Sequence, residues 1–203
     1  MGQLTVIEFT TLDGVAQGPG APDEDPEGGF PHGGWQAPFD DEAAAAVMFE
    51  RAQRMDALLL GRKTFDLFAG YWPQAPAEAP FTRLLNETPK YVATHTLHAP
   101  PAWSGATVLE GPLREGVEAL RSRYDEVHVI GSLDLVQSLL REGLVDRLEL
   151  WVYPLVLGTG KRVFAEGAPP LSLRLTETVE HRGGVLHLSF ETAGVPTYGT
   201  MGP

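Results

Sequence analysis

The chain has 203 residues, 43% of them apolar, and carries 27 acidic against 15 basic side chains for a formal charge of −12. That length can bury about two-thirds of the surface an unfolded chain would expose, so one large domain is the economical arrangement, and the negative charge argues against nucleic acid as a bulk electrostatic partner. The absence of cysteine excludes disulfides, thiolate metal sites and cysteine nucleophiles.

In chain order, "LTVIEFT" (Leu4 to Thr10) alternates and is rich in β-branched residues, which predicts a strand. It runs into a stretch so dense in Gly, Pro and Asp that neither helix nor strand could persist. Loops longer than about 12–15 residues in a compact domain are usually functional or disordered, and this one carries Phe30, His32 and Trp35. It is expected to cover a site. Acidic residues open an Ala-rich segment from Asp40 to Met55, read as a helix with anions at its positive end. "DALLLG" then predicts a buried strand, "RKTFDLFAGY" a short helix, and "PQAPAEAPFTRLLNETP" a proline-broken surface connection. Further strands are expected at 90–95, 106–111, 126–131, 146–158, 171–182 and 184–193, with helices near Leu113 to Arg123 and Leu133 to Glu142. The pair Gly183-Gly184 between two alternating runs signals a hairpin. Early alternation of strand and helix followed by a hairpin predicts an α/β domain with a mostly parallel sheet of about eight strands and an antiparallel edge. The domain is expected to span 1–193, with 194–203 a tail that is mobile or contacts a partner chain.

Two strand-to-helix junctions carry the chemistry. At "LLLGRKTFD", Gly61 ends a strand and is followed by Arg62, Lys63 and Thr64, an arrangement suited to an anion because exposed N–H groups, a hydroxyl and two cations converge there. Solvent-facing cations after a strand-ending glycine are the plainer reading. The second junction is "VIGSLDLVQSLL", with Gly131-Ser132 between strand and helix. Two such junctions suit the two ends of a dinucleotide, although no GxGxxG motif is present. "LGTGKRVF" lacks the GxxxxGK[ST] spacing, so nucleoside triphosphate hydrolysis is not indicated; Lys161 and Arg162 there either sit in a tight turn or face a substrate. The six histidines form no HxH or HExxH arrangement, so no metal site is argued, and no serine sits in a GxSxG elbow. No basic segment with a following apolar run opens the chain, and no apolar stretch approaches the roughly 18 residues of a membrane span. A cytoplasmic location is the expectation.

Taken together, "TLDGVAQ", "LLLGRKTFD", "VIGSLDLVQSLL", "GLVDRLELWVYPLVLGTGKRVF" and the closing hairpin, in this order, resemble the dihydrofolate-reductase-like family, and within it the reductase domain of bifunctional riboflavin-biosynthesis proteins. The resemblance covers nearly the whole chain and implies an NADPH-dependent reductase that transfers a hydride to a C=N or C=O carbon of a small heterocyclic or sugar-derived substrate, the phosphoribosylamino-pyrimidine of riboflavin synthesis being the best-known class. It implies that Gly61, Arg62, Lys63 and Thr64 hold the adenosine phosphates, that Thr94 and His95 lie near the ribose, and that Ile130, Gly131, Ser132 and Leu133 lie under the nicotinamide and pyrophosphate. Two cations beside the 2′-position favour NADPH over NADH. Asp13, in the loop that closes over the nicotinamide in related reductases, and Asp40, spaced from Trp35 and Pro38 like a pterin-binding carboxylate, are the candidate catalytic acids. Each has a plain alternative, a turn residue for Asp13 and a helix cap for Asp40. Trp35, Lys161 and Arg162 are the candidate substrate contacts. Ser132 and Val136 stand where folate reductases carry glycine and an aromatic residue, which argues against folate. A homodimer is expected, as in resembling reductases. A non-catalytic ligand-binding or interaction module that retains the fold is the alternative.

Overall fold

The computed structural model describes residues 1–96 and 103–202; Pro203, the last residue of the expected tail, lies outside them. Strand β1 (Gln3–Thr11) follows from its alternation: Leu4 and Val6 are fully buried on one face, and Ile7 and Phe9 pack on the other. The rest of the chain adds α1 (Glu42–Ala52), β2 (Ala57–Gly61), α2 (Arg62–Tyr71), α3 (Pro80–Glu87), β3 (Lys90–Ala93), β4 (Ala106–Val108) and α4 (Leu113–Arg123). It ends with β5 (Glu126–Ile130), α5 (Leu133–Arg141), β6 (Arg147–Tyr153), β7 (Leu173–Glu180) and β8 (Leu186–Thr192).

One sheet of eight strands runs in the order β4-β3-β2-β5-β1-β6-β8-β7. Its pairs are parallel as far as β6, and the last two are antiparallel. This is the mostly parallel α/β domain that the sequence predicts. The "LLL" of β2 is buried on both faces, as a strand inside a parallel sheet must be. Between β7 and β8 the chain turns through Gly183 and Gly184, both at φ 76°, a conformation that disfavours any side chain.

Two expectations need correction. The connection after α2 contains a helix, α3, because Pro80 occupies its first turn, where a missing N–H is harmless, and Thr82 and Leu85 bury one face. The strand expected at 146–158 stops at Tyr153, because Pro154 has no N–H for the ladder. The chain beyond forms a loop that returns beneath β1, where Val15 bridges Arg162.

Three apolar clusters hold the layers together. Leu4, Val6, Val117, Leu120 and Leu139 pack α4 and α5 on one face of the sheet. Trp151, Tyr153, Trp35 and Ala44 pack α1 and the long loop on the other. Phe65, Leu85, Val92 and Trp103 pack α2 and α3 beside β2 and β3. Helix α1 is capped by Asp41, whose carboxylate accepts the Ala43 N–H at 3.1 Å. It is tied to the sheet by Arg51, 3.3 Å from Glu149, which in turn meets the buried His187 at 2.9 Å.

Because β5 lies between β1 and β2, and the chain leaves β5 to return on the far side of β1, the C-terminal ends of these strands open into a crevice. That is where an open α/β sheet binds ligands.

Candidate active site

The two junctions meet at this crevice. The Gly61 N–H donates to Ser132 Oγ at 2.9 Å, so the N-termini of α2 and α5 are pinned side by side. A Cβ on Gly61 would lie 3.3 Å from Ser132 Cβ, and one on Gly131 would lie 3.6 Å from the Thr64 methyl. The first is tight enough to favour a small residue, while the second is an ordinary contact and its glycine answers to the backbone instead. Gly131 has φ 61°, and Ser132 (φ 66°, ψ 51°) is the only non-glycine with positive φ among the described residues. Ser132 thus adopts the backbone conformation a glycine would, and adds a hydroxyl that a glycine lacks. Ser132→Ala should lose the hydrogen bond and keep the strain, lowering stability by about 1–2 kcal/mol. Ser132→Gly should lose less, because it relieves the strain; thermal unfolding of both variants checks the order.

A cavity of about 1190 Å³ opens between the junctions and the long loop. Small-molecule pockets usually measure about 300–1,000 Å³, so this one has room for two molecules side by side. All ten residues that the resemblance assigns to the cofactor border it: Gly61 to Thr64, Thr94, His95 and Ile130 to Leu133. Glu8, Gln17, Gln36 and loop residues Gly18 to Ala21 also border it.

The loop is held by polar contacts rather than by secondary structure. Gln17 Nε2 donates to the carbonyls of Asp25 and Glu27 at 2.9 and 3.0 Å, and its Oε1 accepts the Lys161 N–H at 3.0 Å. The Gln17 carbonyl accepts the Trp35 indole N–H at 2.8 Å. Lys161 Nζ reaches Asp25 and Glu27, each at 2.6 Å, and Lys63 Nζ reaches Glu27 at 2.5 Å. The ammonium groups of Lys161 and Lys63 hold the Glu27 carboxyl down to about 2. The loop is thereby latched from α2 on one side and from the 158–162 loop on the other.

The remaining candidate residues are placed differently. Asp13 does not border the cavity. Its carboxylate accepts the Thr11 hydroxyl at 2.6 Å and the N–H groups of Leu157 and Gly158 at 3.2 and 2.8 Å. Those hydrogen bonds, the Thr11 hydroxyl foremost, hold its pKa below the usual carboxylate value. Arg162 donates to the Asp13 carbonyl at 3.0 Å and to the Gly158 carbonyl at 3.4 Å, also outside the cavity. Asp40 borders a separate cavity of about 350 Å³ with Tyr153, His181 and Arg182. Trp35 is buried beneath the loop, edge-on to Tyr153, and Lys161 borders the large cavity with its ammonium engaged by Asp25 and Glu27.

Asp13→Asn replaces one of three accepting contacts with a donor and should lower stability by about 1–2 kcal/mol. The sign with pH follows from the depressed folded-state pKa: the Asp13 contribution is present above pH 3.8 and disappears as pH falls through the lower folded value. Urea unfolding at pH 7 and pH 3 should show the parent's advantage over Asp13→Asn shrinking at the lower pH.

Reading the sequence misses Glu8, Gln17 and Gln36. Glu8 was visible in principle: in the alternation Leu4, Val6, Glu8, Thr10 it is a lone carboxyl in a row of buried positions.

Residues 3–187 match the family model of the RibD C-terminal domain. The chain belongs to that family. Over 145 residues, 70% of this chain and 76% of the relative, it is 27% identical to the uncharacterized protein YyaP of Bacillus subtilis (strain 168). Among solved structures, the riboflavin-biosynthesis-like protein of Shewanella sp. PV-4 superposes with TM-score 0.67 at 20% identity, covering 94% of this chain and 99% of the other. The pyrimidine reductase-like protein of Corynebacterium diphtheriae gives 0.66 at 15% identity, covering 95% and 92%. Acinetobacter baumannii RibD gives 0.63 at 15% identity, and there this chain corresponds to 58% of the longer protein. These structures share the RibD C-terminal domain fold. Among the described residues no helix is long and apolar enough to cross a membrane.

Proposed function

We propose that this RibD C-terminal domain protein is an NADPH-dependent reductase acting on a C=N or C=O carbon of a small heterocyclic substrate. The observation that carries the reading is the meeting of two helix N-termini, with Arg62 and Lys63 at the outer one, on a single cavity large enough for a dinucleotide and a second molecule. The fit to a dinucleotide rests on backbone access: a side chain at Gly61 would press on Ser132, and Gly131 holds φ 61°, a conformation that disfavours a side chain. When bound, the reduced nicotinamide supplies the hydride.

The residues present supply the rest. The first turns of α2 and α5 offer unpaired N–H groups to pyrophosphate, and the Arg62 fork and Lys63 ammonium suit a 2′-phosphate. Thr94 and His95 border the ribose end, and Ile130 to Leu133 form the floor at the reacting end. The latched loop excludes water and fixes the substrate against that floor.

The pyrimidine-reductase and RibD likenesses support an aminopyrimidine substrate. Lys161 is held by two carboxylates, Asp25 and Glu27, with its side chain 29% exposed, and Arg162 lies outside the cavity, whereas the more exposed Arg62 and Lys63 face one carboxylate each; this favours an unphosphorylated compound. NADPH oxidation with 5-amino-6-(ribosylamino)uracil and with its 5′-phosphate tests both parts. Turnover of the unphosphorylated compound at least as fast as the phosphate supports the reading. A strict requirement for the phosphate overturns the substrate preference, and no oxidation with either overturns the assigned reaction on aminopyrimidines.

A further inference from the structure

Glu8 has no part in holding the fold or the loop. It lies in the central strand one residue past Ile7, whose carbonyl accepts the Gly131 N–H at 3.2 Å, and it borders the large cavity beside the Gly131-Ser132 junction. It is only 2% exposed, and its Oε1 has no hydrogen-bond partner among the described residues. The same face of the sheet carries Val6, Val129 and, directly opposite in β6, Leu150; Ala16 of the following turn and Leu135 of α5 belong to the same apolar cluster. Among the described residues no salt bridge reaches it. The cations bordering the cavity, Arg62, Lys63 and Lys161, are matched with Asp66, Glu27 and Asp25. Burial, with no compensating charge, pushes the Glu8 carboxyl up to about 8, so it carries its proton at neutral pH.

An unpartnered buried acid on a central strand is costly, and a ligand that completes its hydrogen bonding accounts for it. We propose that Glu8 is the acid that hands a proton to the substrate heteroatom as the neighbouring carbon is reduced. This rests on the reductase reading above. The step balances: hydride from the reduced nicotinamide bonds to the carbon, the π pair of C=N or C=O moves to the heteroatom, and that atom takes the Glu8 proton. The carboxylate left behind regains a proton from water at the cavity mouth. A neutral acid at this point recognises a basic ring or imine nitrogen, or a carbonyl oxygen, and rejects an anion. The position beside Gly131 sets it apart from Asp13 and Asp40, neither of which borders this cavity.

The test uses 2,4-diaminopyrimidine, a basic heterocycle that can accept the proton without being reduced, and compares the parent with Glu8→Gln and Glu8→Leu. Infrared difference spectra between the parent and Glu8→Gln at pH 7 should contain a protonated-carboxyl C=O band, which gives way to carboxylate bands when diaminopyrimidine binds. Affinity for the probe should fall about ten- to a hundredfold in both variants, as for loss of a charge-assisted hydrogen bond. Both variants should melt no lower than the parent and bind NADPH with unchanged affinity. Equal affinity of the parent and Glu8→Gln for the probe overturns the proposal, as does a carboxylate at pH 7 or a parent that binds NADPH but not diaminopyrimidine. A parent that protonates the probe but does not bind NADPH leaves Glu8 as a proton-donating site and overturns the reductase reading instead.

Discussion

Arg62→Ala should weaken NADPH about ten- to a hundredfold while leaving NADH within about twofold, because only NADPH presents a 2′-phosphate to the guanidinium. Arg62 is paired with Asp66, its neighbour one helical turn along, at 2.6 Å, and its side chain is 39% exposed. Exposed pairs of this kind are worth about 0–1 kcal/mol, so a phosphate displaces the carboxylate at little cost. Lys63→Ala should show the same discrimination with a smaller loss, since an ammonium is a point charge without the planar fork. It also releases Glu27 from one of its two latches, so its effect on loop closure should appear as faster cofactor dissociation. Calorimetric titration of both cofactors into both variants checks the difference. Equal losses for NADPH and NADH would place the 2′-position elsewhere.

Glu8 gives the second large effect, on stability rather than binding. Its folded-state pKa is raised from 4.5 to about 8 by burial, so between those values the fold keeps a proton that the unfolded chain has lost. The sign is therefore a stability that is full below pH 4.5 and declines as pH rises toward 8, where the folded protein ionises too and the decline stops. At 1.36 kcal/mol for each pH unit, the span corresponds to about 3–6 kcal/mol. Glu8→Leu removes both the titration and the unpaired carboxyl, and Leu150 and Val6 offer it an apolar setting. Its unfolding free energy relative to the parent should therefore grow from pH 4.5 to pH 8. A constant difference across that range would mean that Glu8 is ionised in the fold.

The strands were legible because burial writes itself into composition. The continuous apolar run at Leu58 to Leu60 and the alternation from Leu4 to Thr10 each admit one reading. Helix α3 was not, since its prolines read as breaks, and only the packing of Thr82 and Leu85 shows that Pro80 starts an element. The junction residues that border the cavity were legible because each junction lies within a few consecutive residues. Other residues of the same cavity were hidden for the opposite reason. Glu8, Gln17 and Gln36 are separated along the chain, and only the folding back of the loop brings them to one cavity. Asp13 shows how a local signal leaves two readings open: a carboxylate before a glycine suits both chemistry and turns, and only the fold shows that Thr11, Leu157 and Gly158 donate to it.

The central claim is that the crevice between α2 and α5 holds a reduced dinucleotide, and Trp72 offers a direct measurement of it. Trp72 borders the large cavity, whereas Trp35, Trp103 and Trp151 are buried in the packing clusters away from its lining. Energy transfer from protein tryptophan to NADPH should quench emission and raise nicotinamide fluorescence with saturable dependence on NADPH, and the Trp72→Phe variant should keep NADPH affinity while losing the largest single share of the transfer. Absence of any saturable transfer in the parent at millimolar NADPH, with calorimetry also silent, would contradict the assignment of this cavity to the cofactor.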